Sequence, residues 1–336
     1  MCREWLSAST LVIALLAIGC RFLSHGPDEL VLPQRAERLL VFAPHPDDEA
    51  LAAGGLIQRT IAAGGSAHVV LMTSGDAFSE GVKSAEDTAN PTPRDFRDYG
   101  SLRERETIAG MQRVGVGRAE IKFLGFPDDG LCLIASKYLS SRKKPFKSPY
   151  TGREEPPAAE QVIRGVTYRG VDVRREIEAI LTANDSTLIA LPHPEDHHPE
   201  HCATSIFVRA ALAALAAGHP SRPAPRVLYY LVHHHGWPDL DEDPRAPLRP
   251  PADFRGEGQW HSLTLTVTEA AAKRRALDAY ASQMEVMPRF LKAFARPNEL
   301  FVEGRITSPP ECWCDETHVA TEGPPERYRR RLGGRR

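Results

Sequence analysis

Leu39-Leu40-Val41-Phe42-Ala43-Pro44-His45-Pro46-Asp47-Asp48-Glu49 opens as an unbroken apolar run and ends in a histidine and three consecutive acids. A run of this length, rich in Leu, Val and Phe and closed by a proline, reads as a strand buried on both faces of a parallel sheet. Beyond it Leu51, Leu56, Ile57 and Ile61 recur at helical spacing until Gly64-Gly65, so the acids open a helix whose N-terminal dipole favours negative charge. Helix capping accounts for one carboxylate. It leaves unexplained three in a row behind a histidine. Neutral imidazole and carboxylate are both zinc ligands, and His45 with Asp48 can close on one ion from a tight strand-to-helix turn. Asp47 is then left over, placed as a general base for hydrolysis would be.

A second apolar run, Thr187-Leu188-Ile189-Ala190-Leu191, also stops in chemistry: Pro192-His193-Pro194-Glu195-Asp196-His197-His198-Pro199-Glu200-His201. Pro199 suits the first turn of a helix, which puts His198 just before that helix and His201 inside its first turn. Both motifs thus occupy the carboxyl end of a strand and the start of a helix, where open α/β sheets bind ligands.

His45-Pro46-Asp47-Asp48-Glu49 resembles the signature of the PIG-L (LmbE-like) zinc-dependent N-deacetylase family. His198-Pro199-Glu200-His201 resembles its second motif, with Glu200 where an Asp is more frequent. The resemblance implies that His45, Asp48 and His201 hold the metal, that Asp47 is the base, and that His198, when protonated, stabilises the transition state. Three protein ligands and an open fourth position are the catalytic pattern of zinc, although ligand identity also admits another divalent first-row metal. Asp196 or Glu49 is expected to orient a ligand imidazole from behind. Arg103-x-x-Glu106 is similar to a family pattern whose Arg helps bind substrate; read as residues alone, the pair is a surface ion pair at i, i+3. Asp128, in the turn Pro127-Asp128-Asp129-Gly130, matches the family's sugar-contacting Asp. Lys273, Ala276, Leu277, Tyr280, Ser282, Gln283 and Glu299-Leu300-Phe301 resemble its closing segment, so the likeness runs from about Leu39 to Phe301. It implies removal of an N-acetyl group from an N-acetylglucosamine-type sugar in a small-molecule glycoside or glycolipid.

The remaining pattern fits an α/β, Rossmann-like sandwich: one domain, a mostly parallel sheet, helices on both faces. Ala67 to Thr73 reads as the second strand, the stretch to Tyr99 as a loop, and Ser101 to Gly115 as a helix. Ala119 to Phe126 reads as the third strand, and Ser136 to Pro157, with Arg142-Lys143-Lys144, as a solvated insertion. Val173 to Leu181 and Ala203 to Ala217 read as helices, Val227 to Val232 as a strand, and His233-His234-His235 as rim residues or substrate contacts. His261 to Val267 alternates like an edge strand, and Glu269 to Met284 like one helix.

Lys+Arg 42 against Asp+Glu 44 in 336 residues leaves a net charge of -2, which gives no field for nucleic acid. Leu6 to Gly19 is apolar but shorter than a spanning helix and suits a secretory signal over 1–20. Ala17-Ile18-Gly19-Cys20 resembles a lipobox, so the protein is expected to be exported, membrane-anchored through Cys20 or otherwise periplasmic or secreted. Residues 21–37 read as a linker, 38–305 as the domain and 306–336 as a disordered tail. Cys132, Cys202, Cys312 and Cys314 are too few for a disulfide scaffold, and Cys202 reads as a small buried apolar residue. Two rival functions remain. A non-catalytic sugar- or nucleotide-binding module wants a glycine-rich turn where this one is acidic. A metal-dependent phosphoester hydrolase commonly wants two metals.

Overall fold

A computed structural model describes residues 26–32, 36–139, 143–304 and 306. The expected signal with Cys20, Arg142 of the insertion, and tail residues 307–336 lie outside the described residues. In chain order the elements are β1 (Asp28–Glu29), β2 (Arg38–Ala43), α1 (Asp48–Ala62), β3 (Ser66–Thr73), α2 (Ser79–Ala85) and α3 (Pro93–Arg113). Then come β4 (Ile121–Phe126), α4 (Leu131–Ser136), α5 (Gly170–Asn184), β5 (Leu188–Pro192), α6 (Pro199–Gly218) and β6 (Arg226–Tyr230). The chain closes with β7 (Gln259–Thr264), α7 (Val267–Leu277), α8 (Ala281–Val286), α9 (Pro288–Ala293) and β8 (Asn298–Glu303).

The strands form one sheet in the order β1-β7-β8-β6-β5-β2-β3-β4. From β6 to β4 all pairings are parallel, while β8 runs antiparallel to both β6 and β7. Side chains alternate across a strand, so β2 feeds two cores. Leu39, Val41 and Ala43 join Leu51, Met111 and Leu277 on one face. Leu40 and Phe42 join Leu131, Ile177 and Phe207 on the other. That is the expected two-faced α/β sandwich, and it explains why the apolar run of β2 has no polar gaps.

β2 pairs with β3 on one side and β5 on the other, with Leu39 opposite Leu188 and Val41 opposite Ala190. The chain leaves β2 toward β3 and β4, then returns to build β5 and β6 on the opposite flank. Strand order therefore reverses between β2 and β5, and the crevice beyond their carboxyl ends is the ligand position of such sheets. Both sequence motifs lie there.

Several local expectations are corrected. The third helix starts at Pro93, not near Ser101, because proline fits the first helical turn and Thr92 and Asp95 form a reciprocal capping box. Ser79–Ala85 within the same expected loop is also helical. The insertion is not simply solvated: Phe146 enters the second core, Tyr150 packs edge-on against Phe96, and Arg97 Nη1 donates to Thr151 O at 2.8 Å. Glu269 to Met284 is broken at Tyr280, which leaves the helical path and buries its ring fully. β7 is covered on its outer side by β1, so residues 28–29 of the expected linker belong to the sheet. Cys202 is buried as expected, yet Cys202 and Cys132 are both disulfide-bonded.

Lys273 holds three elements together behind the site. Its buried Nζ donates to Leu51 O and to Glu299 Oε1, each at 2.7 Å, while Glu299 also accepts from Gly55 N and Leu56 N. Removing one member of a buried pair strands the other charge, at a cost of about 3–5 kcal/mol. Lys273→Met should therefore lose stability of that order in urea unfolding, and adding Glu299→Gln should restore part of it.

A candidate metal centre at the switch point

The turn from β2 into α1 is shaped by Asp47, whose φ of 115° lies where non-glycine residues rarely sit. Such a conformation costs on the order of 1–3 kcal/mol and persists only where surroundings impose it. Arg103 of α3 does so. Its Nη2 donates to Pro46 O at 2.6 Å and approaches Asp47 Oδ2 at 3.3 Å, and its Nη1 donates to Gly75 O at 2.8 Å. Gly75 is required here, since a Cβ would stand 1.9 Å from Arg103 Nη1. Arg103 is thus buried against the turn rather than paired on the surface with Glu106, which accepts instead from Ser282 N and Oγ. Glu49 reaches no imidazole among the described residues. It accepts from Asp47 N at 3.1 Å and from Tyr280 Oη, and burial pushes its carboxyl up to about 8.

Although Asp47 precedes α1, its side chain makes no capping bond. Burial raises its carboxyl to about 7, against the opposing pull of Arg103. Asp48 sits differently. Its Oδ2 accepts from His45 N at 3.0 Å and lies 3.1 Å from both His45 Nδ1 and His201 Nε2. Burial works against its ionised form, but the His201 and His45 imidazoles outweigh that and hold the carboxyl well below its usual range.

Each imidazole has a second carboxylate on its far nitrogen. His201 Nδ1 lies 3.2 Å from Asp196 Oδ2, and His45 Nε2 lies 2.8 Å from Glu200 Oε2 and 3.3 Å from Asp128 Oδ1. Glu200 Oε1 meanwhile accepts from Gly130 N and Leu131 N, tying the start of α6 to the start of α4. Asp128 Oδ2 accepts from Ala77 N at 2.7 Å. Burial opposes charge on His201, yet Asp196 and Asp48 raise it to about 9. The same contest raises His45, through Asp128, Asp48 and Glu200.

These residues fit a divalent ion. A tetrahedral zinc with bonds of about 2.0–2.1 Å has donor-to-donor edges of about 3.3 Å, close to the 3.1 Å separations around Asp48 Oδ2. His201 is fully buried, and its nitrogens meet carboxylates at contact distance without hydrogen-bond geometry, as ligand atoms aimed at a shared ion would. The protons that the carboxylates hold on both imidazoles are the charge an ion would displace. The wider cluster includes His198 and His233: donor atoms of His45, His198 and His201 lie within 4.8 Å of one another, as do those of Asp48, His201 and His233.

His198 is the N-cap of α6, as expected, and its Nδ1 accepts from Glu200 N at 3.3 Å. That bond assigns the tautomer, leaving the hydrogen of the neutral ring on Nε2. Burial, then the neighbouring His45, His233 and His201, lower His198 well below the usual range. These surroundings favour a neutral His198 ring, where protonation is expected from the sequence, and its Nε2–H can still donate. His193 is structural, its Nδ1 accepting from Glu195 N and its ring set against Phe254 and Tyr229.

Two cluster members, Glu200 and His233, were not singled out from the sequence. Glu200 stands between the histidines of the second motif, and its longer reach than Asp is the signal it offered. His233 follows the third strand end, but the neighbouring His234 and His235 disguise it.

Residues 40–212 match the family described as PIG-L: GlcNAc-PI de-N-acetylase. The chain belongs to the PIG-L family. It is 29% identical over 275 residues to the 1D-myo-inositol 2-acetamido-2-deoxy-alpha-D-glucopyranoside deacetylase of Rhodococcus jostii, across 75% of this chain and 83% of that one. Its fold is that of the N,N'-diacetylchitobiose deacetylase from Pyrococcus horikoshii, with TM-score 0.51, 17% identity, and coverage of 91% of this chain and 95% of that chain. A deacetylase from the teicoplanin biosynthesis pathway aligns with TM-score 0.50 and 18% identity, over 80% of this chain and 98% of its own. In this PIG-L chain the two motifs that carry the family likeness are the two turns flanking the switch point.

The clamp on the turn is open to test. Arg103→Ala leaves Pro46 O and Gly75 O without their buried donor, at ~1–3 kcal/mol each. Thermal and denaturant unfolding should both register that loss, whereas Arg103→Lys, which can serve one carbonyl, should lose less.

Proposed function

We propose that the protein is a zinc-dependent N-deacetylase that hydrolyses the N-acetyl group of an N-acetylglucosamine-type sugar conjugate to free amine and acetate. The observation that carries this reading is the convergence of His45 Nδ1 and His201 Nε2 on Asp48 Oδ2, with the carboxylate of Asp47 beside them and uninvolved in capping. His45, Asp48 and His201 would hold the ion. When bound, the ion supplies Lewis acidity toward the acetyl carbonyl and lowers the pKa of water to about 7.

The chain's own residues do the rest. Asp47 removes a proton from the attacking water as its oxygen adds to the acetyl carbon, and returns a proton to the amine nitrogen as the C–N bond breaks. A neutral His198 donates its Nε2–H to the oxygen that gains negative charge in the tetrahedral state. Asp196 and Glu200 fix the two ligand rings by their far nitrogens. Arg103 acts through the turn, holding Asp47 in its strained conformation, and Asp128, whose Oδ1 stands 3.3 Å from His45 Nε2, also accepts from a sugar hydroxyl.

We assign the protein to an oxidising compartment, reached through residues 1–20, with Cys20 as the lipid attachment point. The disulfide-bonded state of Cys132 and Cys202 supports that assignment, since such bonds persist outside the reducing cytosol. Mass spectrometry of protein from its native host should show cleavage before Cys20 with added acyl mass; an intact Met1 would count against export.

Activity is tested by released acetate on a panel holding a GlcNAc-inositol, N,N'-diacetylchitobiose and an N-acetylated glycopeptide pseudoaglycone. Metal-loaded enzyme that releases acetate from none of several dozen N-acetyl glycosides would overturn the deacetylase reading. Losing an oxyanion donor typically costs about 2.7–4 kcal/mol, so His198→Ala should keep its metal and lose roughly 100- to 1,000-fold in kcat. Asp47→Asn should likewise keep metal with turnover nearly abolished. Asp48→Ala and His201→Ala should lose the metal itself, by elemental analysis.

A further inference from the structure

The expected ligands come from the turns after β2 and β5, but a third strand end reaches the same place. β6 lies beside β5 and runs parallel to it, so its continuation through Leu231 and Val232 delivers His233 to the same edge of the sheet. We propose that His233 is a fourth, displaceable protein donor to the divalent ion of this site, an inference that rests on the metal-hydrolase reading above.

One oxygen registers His233 against His201. Asp196 Oδ2 accepts from Val232 N at 2.8 Å and His233 N at 3.1 Å, and the same atom lies 3.2 Å from His201 Nδ1. The His233 ring stacks on Phe290 at an interplanar angle of 12° and crosses the His201 ring at 82°, with centroids 4.8 Å apart. Donor atoms of Asp48, His201 and His233 all lie within 4.8 Å of one another. The two histidines that follow are engaged elsewhere. His234 stacks on His197 and faces Asp253, and His235 N donates to His197 Nδ1.

The Asp48 and His201 atoms already stand at 3.1 Å, close to the donor edge of about 3.3 Å of a tetrahedral ion. His233 instead keeps its ring stacked on Phe290 and reaches the ion by turning from that stack. That difference is what makes it displaceable. It closes the fourth position when no substrate is present and withdraws to its place on Phe290 when the acetyl oxygen arrives. The site then retains its ion between turnovers without a permanently closed, structural coordination sphere.

The test is metal binding rather than turnover. Chelator-stripped full-length protein is titrated with zinc against a chromophoric chelator, and the cobalt(II)-loaded protein is examined by visible absorption, whose intensity falls as coordination departs from tetrahedral. His233→Ala should bind zinc roughly tenfold or more weakly, the range typical of lost support to a metal site, and should change the cobalt spectrum. His233→Asp, which restores a donor but not the stack on Phe290, should recover much of the affinity. Unchanged affinity and spectrum in His233→Ala would overturn the proposal. So would equal loss in the Ala and Asp variants with lowered melting of the metal-free protein, since packing alone would then explain it. Wild type that takes up no metal would overturn the deacetylase reading as well, whereas metal-replete wild type with an indifferent His233→Ala overturns this inference alone.

Discussion

Six carboxylates, those of Asp47, Asp48, Glu49, Asp128, Asp196 and Glu200, are buried around the ends of two neighbouring strands. An isolated buried charge is prohibitively unfavourable, so each must be neutralised, paired or hydrogen-bonded. The chain answers each differently. Glu49 is pushed toward its neutral form by burial and bonds Tyr280; Asp47 leans on Arg103; Asp196 and Glu200 collect backbone N–H groups. Asp48 is held ionised by the His201 and His45 imidazoles, which Asp196 on one side and Asp128 with Glu200 on the other also draw toward their charged forms. A nitrogen of each imidazole stands 3.1 Å from Asp48 Oδ2, close to the spacing of donors around one divalent ion, which is why the cluster fits a metal and not merely a polar core.

The turn at Asp47 shows how sequence and chemistry constrain each other. A residue just ahead of a helix would ordinarily spend its carboxylate on capping. Here the positive φ carries the side chain away from that duty, and Glu49 takes over the backbone N–H of Asp47. The cost of the conformation is met by Arg103 from a helix more than fifty residues away in sequence, against a glycine that allows its approach. The Asp47 carboxylate is left free of capping because the fold holds its backbone where a relaxed turn would not.

Much of this was legible beforehand. The apolar runs of β2 and β5 identified the sheet, because burial on both faces leaves an unbroken apolar pattern, and the family resemblance of the acids and histidines behind them named the candidate trio His45, Asp48 and His201. What escaped were features decided by distant partners. Pro93 reads as a breaker until the capping box beside it is seen to start a helix. Tyr280 sits at a helical position in a helix-favouring run, yet its ring is drawn to Glu49 on another element, and no local propensity encodes that. Phe146 and Tyr150 were lost among lysines, although two aromatics in a basic stretch signal packing. His233 was concealed by a run of three histidines whose separate directions only the sheet register determines.

His45 and Glu200, now in contact, stand 155 positions apart along the chain, and the strands beneath them pair in parallel through long crossovers. Such pairings are entropically the last to form, since loop closure precedes any reward from the contact. The donor set therefore does not exist until β5 has docked on β2 in register, and a slip of one residue would turn every side chain to the opposite face. An ion cannot guide this chain toward its fold; it can only recognise the finished one. Occupancy of the site would in that sense be a record of completed folding, and an ion held there would add its binding free energy chiefly to the native state.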